Sequence, residues 1–541
     1  MTLKKYFPTL FVLAAFYCFA LLPEHIYHLL NSNYLATQSV KSSAISLVLM
    51  TLLAFCAQRL LVITLLAIFT LLQTGQLMYF HYFGGFYSAF DVMLLSKELT
   101  DALIGFLDVA LFLMVPALLS LSFAGFAFWV YQRFHLQLPR SRYCGYALVI
   151  LLLLPLGQAF SVNSSQKFQP NISQSALKNG LFSFSYLIAY NSKTALGLLP
   201  PAKEYQAYQL SQHAPVDANI VVIMGESFSR YNLSLFDYER DTTPNLNALK
   251  DKPEFFYRPS LSSAVSTRVS LALFFNTVYE PDNMAHLQSM HTSLFKLAKH
   301  SGYNTHYITT QKNAGGLTYS FSLSDVDTWM DDDHLTDFEG QYDNRLLLAL
   351  DKLKLDYQQP QFITLHMRST HAPYVDNYPA EEAVYPVDKN DYQSYMRNSY
   401  DNSVHYTEKQ IADIYQFFEN TGRPTYIFFT SDHGELTGQS GRYGHNMVDL
   451  DIAQVPFLFY GPHLEQSAIS NLAAELGCMP NHYHISKEIA KLLGFSIHNP
   501  NEVADTYYLN GTSVFGEAGY QQYTLSDLSD QWCASPSEHT K

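Results

Sequence analysis

The run Asn219-Ile220-Val221-Val222-Ile223-Met224-Gly225-Glu226-Ser227 leads an apolar, largely β-branched stretch straight into a glycine, a carboxylate and a hydroxyl. A strand apolar along its whole length has both faces covered, which is how strands of a parallel sheet lie. Similar short runs recur at Tyr303–Thr309, Gln361–His366, Pro424–Ser431 and Val455–Tyr460. Between them, helical periodicity predicts helices over Thr292–His300, Asp343–Leu353, Tyr400–Asn420 and His484–Leu493. The alternation defines an α/β domain over residues 218–541. In such a sheet, ligands bind beyond the carboxyl ends of the strands.

Several segments bring chemistry to that edge. One strand ends in Gly225-Glu226-Ser227, another in His366-Met367-Arg368-Ser369-Thr370-His371, and a third in Ser431-Asp432-His433-Gly434-Glu435. The pair Ser266-Thr267 follows a Ser/Ala-rich loop at 261–265. Carboxylates and imidazoles meeting at strand ends suit a hard-to-borderline divalent cation such as zinc. A threonine hydroxyl bound to that cation loses its proton more readily and becomes a nucleophile. Each residue alone also fits a plainer role: Glu226 as a capping or solvated carboxylate, Asp432-His433-Gly434 as a turn, His371 as a loop histidine, Thr267 as a helix N-cap. Their order on one frame, followed by Gly444-His445-Asn446, favours the joint reading.

The rest of the chain is built for another solvent. Residues 1–163 hold eight Lys/Arg and five Asp/Glu, a net of +3, against 25 and 42, a net of −17, over residues 164–541. Uncharged apolar runs at Tyr6–Pro23, Ser42–Gln58, Leu60–Met78, Val109–Tyr131 and Tyr143–Asn163 predict a transmembrane domain of five helices over residues 1–163. Lys4 and Lys5 ahead of the first run also fit a secretory signal, but no small-residue cleavage site follows. Lys4, Lys5, Arg59, Arg133, Arg140 and Arg142 fall at one set of loop ends, and Glu24, Asp91, Lys97, Glu98 and Asp101 at the other. The positive-inside rule then places the α/β domain outside the cytoplasm.

Residues 164–217 form the connector, in which 176–199 reads either as a helix lying in the membrane interface or as an ordinary buried helix. The acidic soluble part lacks a Lys/Arg cluster, which argues against nucleic acid as a partner. Of five cysteines, Cys478 and Cys533 are the one possible disulfide of the soluble part.

The block Gly225-Glu226-Ser227-Phe228-Ser229-Arg230, continued by Ser234-Leu235-Phe236-Asp237-Tyr238-Glu239-Arg240-Asp241-Thr242-Thr243-Pro244, resembles the GES-x-x-R…S-L-x-x-Y-x-R-x-T-T-P block of bacterial inner-membrane phosphoethanolamine transferases of the alkaline phosphatase/sulfatase superfamily. The resemblance spans essentially the whole chain. It implies an N-terminal five-helix transmembrane bundle plus an alkaline phosphatase-like (sulfatase-like) α/β domain in the periplasm. The implied reaction moves phosphoethanolamine from phosphatidylethanolamine to lipopolysaccharide, on lipid A or a core sugar, and releases diacylglycerol. Lipid A modification of this kind underlies polymyxin resistance.

By the same resemblance, Glu226, Thr267, Asp432 and His433 match the ligands of one tight zinc site, with a second zinc as an option. Thr267 matches the nucleophile that becomes phosphoethanolamine-modified, and adjacent Ser266 is the alternative. His371 and His445 match histidines that bind substrate phosphate, hold the second zinc or shuttle protons. The Cys-Lys pair often found after the second strand is missing, so Gln311, Lys312 or Asn313 stands in for its polar contact. A phosphoglycerol transferase acting on a periplasmic glucan or a lipoteichoic acid-like polymer would share this machinery. A non-catalytic membrane scaffold is the alternative of another class. The Arg240…Thr242-Thr243-Pro244 block and the retained ligand set favour phosphoethanolamine transfer.

Overall fold

The computed structural model describes the chain apart from residues 1–2, 31–39, 84–85, 90, 93–110, 112, 163–167, 169, 171–173, 199–203, 312–319, 337, 339–341, 357–358, 389, 440–441, 513–518 and 529–541. The chain divides into two compact units: residues 1–201 with 388–395 and 438–444, and residues 202–387 with 396–437 and 445–541.

Helices α1 (Leu3–Leu30), α2 (Val40–Ala54), α3 (Arg59–Phe83), α4 (Met114–Phe134), α5 (Arg142–Ser161) and α6 (Ala176–Ala195) make up the first unit. Among the described residues α1, α3, α4 and α5 are long and apolar enough to cross a membrane, and α2 is a shorter apolar helix. Each run expected to span is therefore helical, with ends that differ. The first was expected to stop at Pro23, yet α1 carries Pro23 in its interior and continues to Leu30. The added turns gain tertiary contacts: Glu24 is buried, and its Oε2 accepts the backbone N–H of Ala176 at 2.9 Å. That carboxylate thereby satisfies one of the free donors at the start of α6. Ser175, the α6 N-cap, accepts from Lys178 N. Leu177, Gly180, Ser183, Tyr186 and Ala189 give α6 its buried face, packed on α3 and α5.

The second unit is built on one sheet. Its strands are β1 (Asn219–Gly225), β2 (Phe255–Leu261), β3 (Asn304–Thr309), β4 (Thr328–Met330), β5 (Gln361–His366), β6 (Thr425–Ser431) and β7 (Gln454–Tyr460), in the order β2-β7-β6-β1-β5-β3-β4. From β6 to β4 all pairs are parallel, while β7 runs antiparallel to both β6 and β2. The run at 455–460 is apolar because β7 is interior, so its composition reported burial and not direction. Two strands were not expected: β2, whose apolar start Phe255-Phe256-Tyr257 is cut short by Arg258 and Pro259, lies at one edge, and the three-residue β4 lies at the other.

Helices α7 (Thr267–Phe275), α8 (Leu294–His300), α9 (Asn344–Leu353), α10 (Tyr392–Asn420), α11 (Gln466–Leu476) and α12 (His482–Leu492) accompany the sheet. Helix α10 starts well before the expected Tyr400, because its polar first turns lack apolar periodicity. Alternate residues Ile220, Val222 and Met224 of β1 join Phe428, Phe457 and Phe459 in a core completed by Phe274, Phe275, Phe295, Ile485 and Ile489 from the helices. Burying each such side chain contributes about 1.5–3 kcal/mol. Cys478 is disulfide-bonded, and Cys533 lies outside the described residues.

Candidate active site

Strand register sets the site. Pairing of Gly225 with Ser431 places Glu226 and Asp432 side by side at the ends of β1 and β6. Met224 pairs with His366, and His366 with Thr309, so the turns after β5 and β3 open at the same edge. The β1 and β6 turns are stitched together: Asp432 N donates to Gly225 O at 3.1 Å, and Ser227 N donates to Asp432 Oδ1 at 2.9 Å. Gly434 N donates to Ile452 O at 2.7 Å, an approach that demands glycine, since a Cβ there would sit 2.9 Å from that carbonyl oxygen.

Into this corner α7 brings Thr267 at its first turn, with Ser266 as N-cap. Thr267 Oγ1 lies 3.3 Å from Glu226 Oε2 and 3.4 Å from His433 Nε2. Ser266 Oγ, by contrast, is buried with no partner. Of the two adjacent hydroxyls, only that of Thr267 faces the carboxylate and imidazole cluster.

The donor set fits a divalent cation. Ligand atoms of Glu226, Asp432 and His433 lie within 4.8 Å of one another, and all three residues are buried. His433 Nδ1 donates to the Gly434 carbonyl at 2.9 Å, which turns Nε2 toward the carboxylates. That nitrogen stands 3.3 Å from Asp432 Oδ2 and 3.7 Å from Glu226 Oε1. Asp432 Oδ2 has no hydrogen-bond partner although it is fully buried. Two carboxylates buried side by side repel unless a cation lies among them. Burial and the adjacent Glu226 charge accordingly push the Asp432 carboxyl up from the usual range.

The two histidines differ in charge. Burial pulls His445 down, but the Glu435 charge and hydrogen bond outweigh it and lift His445 to about 9. Burial brings His371 down to about 4, against the attraction of Glu226 and with the Arg368 charge assisting. His371 Nδ1 is held by the Ala372 carbonyl, which leaves Nε2 as an acceptor. The His433 and His445 rings lie 4.2 Å apart, and His433, Glu435 and His445 form a second close group of ligand atoms.

Every candidate residue within the described chain thus gathers here. Gln311 enters as a partner of Glu226, donating Nε2 to Oε2 at 2.7 Å and to Met367 O at 2.9 Å. Lys312 and Asn313 lie outside the described residues. Sequence reasoning quoted Glu435 without assigning it, and missed Tyr374, whose hydroxyl donates to Glu435 Oε1 at 2.5 Å. Thr370 was also missed; its hydroxyl donates to the Glu226 backbone carbonyl. A carboxylate two residues past His433 is a legible signal, but nothing in sequence ties Tyr374 to it.

The Sulfatase family model matches residues 218–495, and the chain belongs to that family. The Escherichia coli K12 protein YhbX is 26% identical over 373 residues, which cover 65% of this chain and 64% of that one. Phosphoethanolamine transferase EptC of Escherichia coli K12 is 26% identical over 271 residues, 47% of this chain and 45% of EptC. The chain therefore spans about half to two-thirds of the length of these curated relatives. The integral membrane protein lipooligosaccharide phosphoethanolamine transferase A (EptA) from Neisseria meningitidis shares the fold, with a TM-score of 0.55 at 18% identity over 88% of this chain and 95% of EptA.

Proposed function

We propose that the chain is a zinc-dependent phosphoethanolamine transferase of the bacterial inner membrane, anchored by residues 1–163, joined through an interfacial connector at 164–217, and working in the periplasm with residues 218–541. Its donor is phosphatidylethanolamine and its acceptor is lipopolysaccharide. The observation that carries this reading is the Thr267 hydroxyl set against Glu226 and His433, beside Asp432, in a chain that also carries the extended Gly225-Glu226-Ser227 to Pro244 block. Similarity to proteins named phosphoethanolamine transferases supports it.

Glu226, Thr267, Asp432 and His433 would hold the zinc. When bound, it supplies positive charge that acidifies the threonine hydroxyl and neutralises phosphoryl oxygens. Thr267 Oγ forms a bond to phosphorus as the bond from phosphorus to the diacylglycerol oxygen breaks. The hydroxyl's proton ends on that departing oxygen, leaving phosphoethanolamine on Thr267. An acceptor oxygen then attacks the same phosphorus, Thr267 leaves as its alcohol, and the acceptor's proton is given up. His445, oriented by Glu435, and His371, oriented by Ala372, sit where they can donate to the leaving oxygen or receive the acceptor's proton. Dividing the displacement into two steps lets one pocket serve two lipids.

The test is mass spectrometry of lipopolysaccharide from cells with and without the protein. One added phosphoethanolamine unit, lost in Thr267→Ala, is the expected result. Full transfer by Thr267→Ala would overturn the mechanism. Unchanged lipopolysaccharide with phosphoglycerol on periplasmic glucan would replace the reaction.

A further inference from the structure

Arg368 follows β5 by two residues and is partly exposed. Its backbone is fixed from below: Asp343, itself buried, accepts the N–H of Arg368 through Oδ1 and that of Ser369 through Oδ2, each at 2.9 Å. Thr310 adds a third bond to the same carboxylate at 2.5 Å. The side chain emerging from this platform places Nη1 3.3 Å from Gln311 Oε1, and Gln311 Nε2 is 2.7 Å from Glu226 Oε2. Glu226 Oε2 in turn lies 3.3 Å from Thr267 Oγ1. A guanidinium is thus linked to the reactive hydroxyl through two intervening side chains, Gln311 and Glu226.

Among the described residues that guanidinium engages one of its donors: its one partner is the neutral amide oxygen of Gln311, and it pairs with no carboxylate. Arginine stays protonated throughout the accessible pH range and presents a planar fork of donors. A cation held at the rim of a reaction centre, with donors to spare, matches the oxygens of a phosphate group in charge and shape. Glu226, Asp432 and Glu435 bring three carboxylates to the site, negative charge that an incoming phosphate must approach and that a nearby guanidinium offsets.

We propose that Arg368 binds a phosphate group of the substrate, with Gln311 linking that contact to Glu226. The proposal deepens the transferase reading and rests on it for the identity of the substrates. The phosphate belongs either to the phosphodiester of the donor lipid or to the acceptor.

Binding of inorganic phosphate to the full-length, zinc-loaded protein, followed by calorimetry, tests the contact without turnover. Losing one charge-assisted contact in Arg368→Met should weaken phosphate binding about tenfold, while Arg368→Lys keeps most of it. Zinc content should be the same in all three proteins. Equal phosphate affinity in wild type and Arg368→Met overturns the proposal, whatever the protein transfers. So does a loss of zinc without a change in phosphate affinity of the loaded fraction, which would make Arg368 a positioning residue only. Phosphate binding weakened by Arg368→Met, in a protein whose wild type moves no phosphoethanolamine, would sustain the contact and remove the transferase reading.

Two assays then separate the sources. A raised KM for donor headgroup release to water assigns the donor phosphodiester. An unchanged donor KM, with loss confined to transfer onto phosphorylated and not dephosphorylated lipid A, assigns the acceptor phosphate.

Discussion

The Glu435 carboxylate bridges two aromatic partners, accepting from His445 Nδ1 at 2.6 Å through Oε2 and from the Tyr374 hydroxyl at 2.5 Å through Oε1. Two donors need two acceptor oxygens, and a side-chain amide has only one. Glu435→Gln therefore keeps at most one of those bonds as it stands and removes the charge that pairs with His445, while leaving Glu226, Asp432 and His433 in place. Loss of an orienting partner of this kind lowers activity by about 10–100-fold. Steady-state transfer measured beside zinc content checks it: kcat should fall with the metal retained.

Metal and fold should be linked through Asp432. Its Oδ2 is buried without a hydrogen-bond partner and the Glu226 carboxylate is close by, which costs stability whenever no cation is bound. In Asp432→Asn, Oδ1 can keep its bonds from Ser227 N and His433 N, while the new amide donates toward His433 Nε2. Thermal melts with and without chelator should show wild type losing Tm on zinc removal. The variant should bind zinc poorly yet melt, when metal-free, at or above the metal-free wild type.

The two adjacent hydroxyls should separate cleanly. Ser266 Oγ is buried without a partner, so Ser266→Ala removes an unsatisfied polar atom. Relief of that kind is worth up to about 1 kcal/mol. Transfer activity should stay within about twofold of wild type. A collapse of activity in Ser266→Ala would move the nucleophile by one residue.

A buried carboxyl on α10 should govern part of the pH dependence of stability. Burial raises Glu408 to about 7, although Asn245 Nδ2 and Leu246 N donate to it. The folded state thus holds a proton that the unfolded chain, with an ordinary pKa near 4.5, releases. Its contribution is complete below about 4.5 and is lost as pH rises through 7, a change on the order of 3 kcal/mol. Denaturant melts between pH 5 and 8.5 should show Glu408→Gln with a flatter stability profile than wild type.

What the sequence by itself determined was local: apolar runs long enough to span, strands apolar on both faces, and turns that put Glu226, His371 and Asp432-His433 directly after strands. Those features follow from side-chain periodicity and burial, which are written in composition. The order of the strands was not, because pairing is decided by contacts between distant segments, as when β2 and β7 join the sheet edge beside β6. Only the tertiary structure showed that Thr267 and not Ser266 meets Glu226, since Ser266 is the extended N-cap and Thr267 the first helical residue, so the two side chains leave the backbone in different directions. It likewise brought Gln311, Arg368 and Tyr374 to the site from segments whose sequences carry no period. Hydrogen-bonding partners of a site come from whichever loops the sheet register brings together, and that register is a property of the whole fold.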